Sequence, residues 1–179
     1  MSNTDRNTKI AFAFAMLTLL LMGAVSYRSL VVSEESDRWV RHTHEVLENI
    51  KGLQFDLATV DSNRRGYLLT DYESTLEAYR ASLLKVKQDQ ATLLSLTADN
   101  PIQQQRLAAL SPLIDTKIES MEPILALRRA DGVDAAVATI QSGQGRVLTA
   151  QVQAAAAKLQ DEELRLLDQR TAEVKRRLV

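Results

Sequence analysis

The sequence predicts an all-α protein: an antiparallel, up-down-up-down four-helix bundle whose first helix continues from an N-terminal transmembrane helix. Three observations predict it. The 179 residues include only three prolines and six glycines, while Ala, Leu, Gln, Glu and Arg, all strong helix formers, are abundant. Ile10 to Tyr27 runs for eighteen positions without a charge, close to the roughly 20 apolar residues that span a bilayer core. Beyond it, apolar residues recur at alternating spacings of three and four, the period of left-handed bundle packing.

The elements follow in order. Residues 1–9 read as a short cytoplasmic tail, 10–32 as the membrane span and 33–179 as an extracytoplasmic helical domain. Ile10, Phe12, Phe14, Leu17, Leu20, Leu21, Val25 and Tyr27 form the anchor. Leu30 to Val32 extend it past Arg28 if that side chain snorkels. A cleaved signal peptide is the competing reading, but its apolar core is normally only about 7–15 residues, ending in a small-residue cleavage site. The nearest candidate, Gly23-Ala24-Val25-Ser26, leads straight into a helical pattern. Arg6 and Lys9 precede the span and Glu34, Glu35 and Asp37 follow it, so the tail is expected inside and the body outside, with Arg28 opposing.

The first body helix carries Trp39, Val46, Ile50, Leu53, Leu57, Val60, Arg64 and Tyr67 in one seam. No proline interrupts Ile10 to Leu69, so anchor and helix are expected as one element of about 60 residues, near 90 Å at about 1.5 Å per residue. It should end near Gly66 to Asp71, where Thr70 and Glu73 have capping-box spacing for a new start. The second helix, Glu73 to Leu96, buries Leu76, Tyr79, Leu83, Val86, Leu93 and Leu96. Asp99-Asn100-Pro101 marks a turn, with Asn100 the cap and Pro101 at the first helical position. The third helix presents Leu107, Leu110, Ile114, Ile118, Met121, Leu125 and Arg128, bends at Pro112 and Pro123, and stops at Asp131-Gly132. A short helix, Asp134 to Gln141, ends at the Gly143 and Gly145 pair. The last carries Leu148, Val152, Ala155, Leu159, Glu162, Leu166 and Arg170. Short connections make consecutive long helices antiparallel neighbours. The expected core is Trp39, Ile50, Leu53, Leu57, Val60, Leu83, Ile114, Leu159 and Leu166.

Chemistry is sparse. A net charge of −1 with interleaved signs gives no nucleic-acid surface. The absence of cysteine excludes thiolate metal sites, redox pairs and a cysteine nucleophile. His42 and His44 stand two apart, on different faces of a helix, where a shared metal wants three or four. Glu162 and Glu163 diverge by about 100°, which is poor for joint acid–base work. No catalytic residue, cofactor or metal is therefore expected. One polar patch stands out. Between Asp61 and Tyr67, Arg64 takes a core-type position and Asp61 lies four residues before Arg65. Either this is a wet bundle tip in which Arg65 pairs with Asp61 to fix register, or Asp61, Arg64, Arg65 and Tyr67 form a pocket for an anionic ligand.

A family resemblance enters at these residues. Trp39-Val40-Arg41-His42-Thr43-His44-Glu45-Val46-Leu47 resembles the W-x-x-H-T-x-x-V-L opening of the type-three CHASE domain. Asp61-x-x-x-Arg65-Gly66-Tyr67-Leu68-Leu69-Thr70 resembles its acidic-x-x-x-R-G-Y-L-L-T run, and Tyr79, Leu96-Thr97-Ala98-Asp99-Asn100-Pro101 and Gln104 fall in its order. Glu162-Glu163-Leu164-x-x-Leu167-x-x-Arg170 resembles its close, with Leu166-Leu167 as the leucine pair. The likeness covers roughly residues 35–175. Thr59 stands where many members carry an acidic residue, and Asn63 where many carry glycine.

The resemblance implies an extracytoplasmic four-helix sensor module at a bacterial cytoplasmic membrane, its body in the periplasm. Such modules usually sit between two spans and feed a histidine kinase, a diguanylate cyclase or a chemotaxis-type output. A second span would then begin after Lys175-Arg176-Arg177-Leu178-Val179, and catalysis would belong to the parent receptor. The expected partners are the lipid bilayer, a second copy in a homodimer, and a stimulus of unassigned chemistry. Two other readings compete: a membrane-anchored structural or adaptor bundle, and the four-helix ligand domain of chemotaxis receptors.

Overall fold

The computed structural model describes residues 3–141 and 143–178. Among them are six helices and no strand: α1 (Asn3–Thr70), α2 (Glu73–Leu96), α3 (Pro101–Glu119), α4 (Glu122–Asp131), α5 (Val133–Gln141) and α6 (Gln144–Leu178). The chain divides into two compact units. One is Thr43–Leu166; the other combines Met1–His42 with Leu167–Val179.

Within Thr43–Leu166 the seams meet in one core. Val46, Ile50, Leu53, Leu57 and Val60 of α1 are buried with Tyr79, Val86 and Leu93 of α2, Leu107, Leu110 and Ile114 of α3, Leu125 of α4 and Leu159 of α6. Each fully buried aliphatic side chain of this kind stabilises by about 1.5–3 kcal/mol. Leu83 packs against this cluster only partly buried, and Leu166 is likewise half-buried. Both are therefore less buried than the core position expected of them.

The turns show local chemistry at work, and twice they depart from expectation. The capping box at Thr70 does not form. The Thr70 hydroxyl donates back to the Gly66 carbonyl, and Tyr72 is the N-cap of α2 without a side-chain bond. Asp71, at φ 58°, makes the reversal, and that displaces Thr70 two positions from the cap. The second departure is the third helix, which is broken and not merely bent. Pro123 lacks an N–H and its ring would strike the carbonyl four residues back, that of Glu119. Glu119 ends α3, and Pro123 falls in the first turn of α4, where the missing donor is harmless. Pro112 is accommodated inside α3.

Between α2 and α3 the Asn100 side chain accepts from the N–H groups of Ile102 and Gln103 at 3.1 and 3.2 Å. Thr97 donates to the Leu93 carbonyl at 2.8 Å. Gln104 reaches back to the Leu94 carbonyl and the Thr97 hydroxyl, each at 2.9 Å. The motif around Asp99-Asn100-Pro101 is thus a self-bonded hinge between two helices. Gly132, with φ 86° and ψ −174°, ends α4 in a conformation other residues avoid.

The other unit holds the uncharged run of α1. Phe12, Phe14, Leu17, Leu20, Leu21 and Tyr27 are all more than half exposed. The side chains of Ile10 and Val25 lie outside those described. Among the described residues, no helix is long and apolar enough to cross a membrane. Trp39 is half-buried and lies in this unit, not in the bundle core where the seam had placed it. The Arg170 guanidinium stands 3.9 Å over its ring, and His42 meets it edge-on at 6.1 Å. The ring quadrupole attracts the cation at 3.9 Å, while Arg170 Nη1 is left without a hydrogen-bond partner.

Candidate functional site

The polar patch of α1 opens onto a cleft of about 620 Å³ within the Thr43–Leu166 unit. Asp61, Arg64 and Arg65 of α1, Lys117 of α3, and Arg146, Thr149 and Gln153 of α6 make its polar lining. Met121, Pro123, Ile124 and Ile140, around the α3–α4 break and from α5, form an apolar side. The break at Ser120–Met121 therefore shapes one side of the cleft.

Lys117 organises the polar side. It is buried, and its ammonium donates to Asp61 Oδ2 at 2.8 Å and to Thr149 Oγ1 at 2.7 Å. One side chain thus ties together α1, α3 and α6. Asp61 also faces Arg64, at 3.8 Å, one helical turn along. This corrects the expected Asp61–Arg65 pair. The carboxylate turns inward to the desolvated ammonium, where the attraction is stronger than at a solvated surface. Arg65 is left exposed on the rim. Arg64 is largely buried, with its Nε lacking a hydrogen-bond partner.

Tyr67 does not line the cleft. It is buried, its hydroxyl accepts from Arg129 Nε at 3.1 Å, and the same guanidinium lies 5.8 Å from the ring. Next to it, Arg128 Nε donates to the Leu68 carbonyl at 2.8 Å. The R-G-Y-L-L-T stretch therefore divides its work: Arg65 faces the cleft, and Tyr67 and Leu68 dock α4. Near the cleft's apolar side, Tyr79 is buried and its hydroxyl lies 3.5 Å from Glu122 Oε1. Burial, with the Glu122 charge adding, pushes its phenol up to about 12.

Two further polar clusters lie elsewhere in the bundle. Gln103, buried, donates to the Leu159 carbonyl at 3.0 Å and to Glu163 Oε1 at 2.8 Å. Its neighbour Glu162 binds Arg165 at 2.5 Å and Arg106 at 3.3 Å. The Arg165 hydrogen bonds hold the Glu162 carboxyl below the usual range. On α1 and α2, Asp56 and Asp89 share Lys85; burial, then Asp89, pushes the Asp56 carboxyl up. The two adjacent glutamates serve different partners, and among the described residues no group of three metal-ligating side chains gathers.

The sequence reading missed Lys117, Gln103, Asp89 and Arg146. The first three carried a signal. Strict alternation of three and four lands on Lys117 between Ile114 and Met121, and on Asp89 between Val86 and Leu93. Preferring the apolar Ile118 hid the first.

Comparison with known proteins places this architecture. The family model of the CHASE3 domain matches residues 36–173. The chain belongs to the CHASE3 domain family. The match takes in the whole Thr43–Leu166 unit, and with it the cleft. The crystal structure of the sensor domain of the Rhodopseudomonas palustris histidine kinase HK9 aligns with a TM-score of 0.66. The alignment covers 70% of this chain and 98% of that one at 22% identity, so the likeness is one of fold. No curated protein matches the chain. The matched residues include both Trp39 and Arg170, the pair that stacks in the unit outside Thr43–Leu166.

Proposed function

We propose that this chain is the membrane-anchored, extracytoplasmic input module of a bacterial receptor, of histidine kinase or diguanylate cyclase type. In this view it relays a stimulus from its cleft across the membrane by helix movement. The observation that carries the proposal is the CHASE3 match over residues 36–173, joined to a charged cleft bounded by α1 and α6. Both helices continue beyond the bundle, α1 back to Asn3 and α6 on to Leu178. A stimulus that binds one spacing of these helices better than another shifts the balance between them.

An up-down-up-down order fits the side-chain pairs. Asp56 meets Lys85 while Asn63 meets Ala78, and Gln103 meets Glu163 while Lys117 meets Thr149; both pairings run in opposite senses. Asp61 with Lys117 and Leu68 with Arg128 run in the same sense. Residues 10–32 serve as the anchor and 33–179 as the outer body; the exposed apolar band from Phe12 to Met22 supports this. No water-soluble surface gains by presenting that many large apolar side chains together. Arg64, Arg65 and Asp61 receive the stimulus, with Tyr67 holding the wall behind them.

The absence of native cysteine makes the test direct. Ser2→Cys and Asp99→Cys variants are treated in whole cells with a membrane-impermeant maleimide. Asp99→Cys should label and Ser2→Cys should not until the membrane is opened. Labelling of Ser2→Cys alone reverses the topology, and release of a cleaved body removes the anchor.

A further inference from the structure

We infer that the cleft takes a small organic dianion, a dicarboxylate or a phosphate monoester, with its two negative charges shared between the arginines of α1 and that of α6. The inference rests on the sensor reading above and supplies the chemistry of its ligand. Arg64, Arg65, Lys117 and Arg146 line the cleft against a single carboxylate, Asp61. That carboxylate is already committed, to Lys117 at 2.8 Å and to Arg64 at 3.8 Å. Among the described residues, neither Arg65 nor Arg146 has a carboxylate within ion-pair distance. A cleft lined so unevenly concentrates anions.

Three features set the class. Arg64, nearly nine-tenths buried, keeps an unpartnered Nε, and a planar guanidinium fork matches an oxyanion. The positive charges come from two sides, Arg64 and Arg65 on α1 and Arg146 on α6, so a single negative charge serves only part of them. The volume, about 620 Å³, is some twenty times a water's share of about 30 Å³ and lies in the usual range for metabolite pockets. A bare inorganic ion would rattle in it, whereas a carbon body can rest on Met121, Pro123, Ile124 and Ile140. A ligand gripping both helices is also one whose affinity depends on their spacing, which is what a relay requires.

The test is calorimetric titration of the full chain in lipid nanodiscs with succinate, glycerol 3-phosphate, acetate and uncharged succinamide. At least one dianion should bind and weaken as salt rises. Acetate should be roughly tenfold weaker or more, and succinamide silent. Binding of succinate alone assigns a dicarboxylate, and binding of glycerol 3-phosphate alone a phosphate monoester. Arg65→Ala and Arg146→Ala, both on exposed side chains, should each weaken binding roughly tenfold with little change in unfolding midpoint. Silence from both dianions, acetate binding as tightly, or full affinity in the double variant overturns the inference. The same cells carrying Arg146→Cys are labelled from outside. Silent titrations with an outward-facing cleft defeat the dianion alone; a cleft labelled only from inside defeats the sensor reading itself.

Discussion

Replacing Lys117 tests the centre of the site. Its side chain is only 4% exposed and that of its partner Asp61 19%. Lys117→Met keeps the volume and removes the charge, leaving Asp61 facing only Arg64 at 3.8 Å. Breaking a buried ion pair from one side costs about 3–5 kcal/mol. Partial exposure of Asp61 and the nearby guanidinium reduce that to about 2–3 kcal/mol. At about 2–4 °C per kcal/mol for a chain of this size, the midpoint should fall by roughly 4–12 °C. Asp61→Asn alone should cost a similar amount, because it strands a buried ammonium on Thr149. The double variant should lose much less than the two together, with a coupling of about 1.5 kcal/mol or more. Thermal and urea unfolding of the full chain in detergent micelles, followed by helical circular dichroism, measures all four corners of the cycle. Strictly additive losses, or a Lys117→Met protein as stable as the parent, would refute the pairing of α1, α3 and α6 through this residue.

Leu159→Ala should cost about 2–5 kcal/mol in the same assay, because that side chain is fully buried, and Leu83→Ala distinctly less, because it is only partly so; equal losses would contradict the burial described. Tyr79, raised from 10.0 to about 12, needs its neutral phenol in the fold. Its contribution is whole below about pH 10 and declines by on the order of 2–3 kcal/mol as pH rises through 12. Tyr79→Phe should remove that part of the alkaline slope, and parallel slopes for parent and variant would exclude it. Gly132→Ala forces a side chain into φ 86°, ψ −174° and should lower the unfolding free energy by about 1–3 kcal/mol; an unchanged midpoint would mean the α4–α5 turn adopts another conformation.

The sequence by itself determined the helices and the family. Helix composition, the alternating seams and the Asn100-Pro101 cap are local properties: each depends on residues within a turn or two of one another. That is why Val46, Ile50, Leu57 and Ile114 lie where the period puts them, and why the motifs from Trp39 to Arg170 agree with the CHASE3 match. The patch at Asp61 to Arg65 was legible as a cluster of charge in an apolar seam, and its two competing meanings were not. Only the tertiary structure decided which cation Asp61 meets. The helix offered Arg64 and Arg65 within one turn, but Lys117, 56 residues away, presents a desolvated ammonium across the core, and in that environment the distant charge prevails over the near one. Arg146 and the apolar side at Ile124 and Ile140 reach the same cleft from separate helices. Proline chemistry explains the break that lets them do so, since Pro123 ends α3 where one continuous helix was expected. A linear pattern records which residues can be buried; how α1, α3, α4, α5 and α6 converge around one cleft depends on how their surfaces fit, and no seam encodes that.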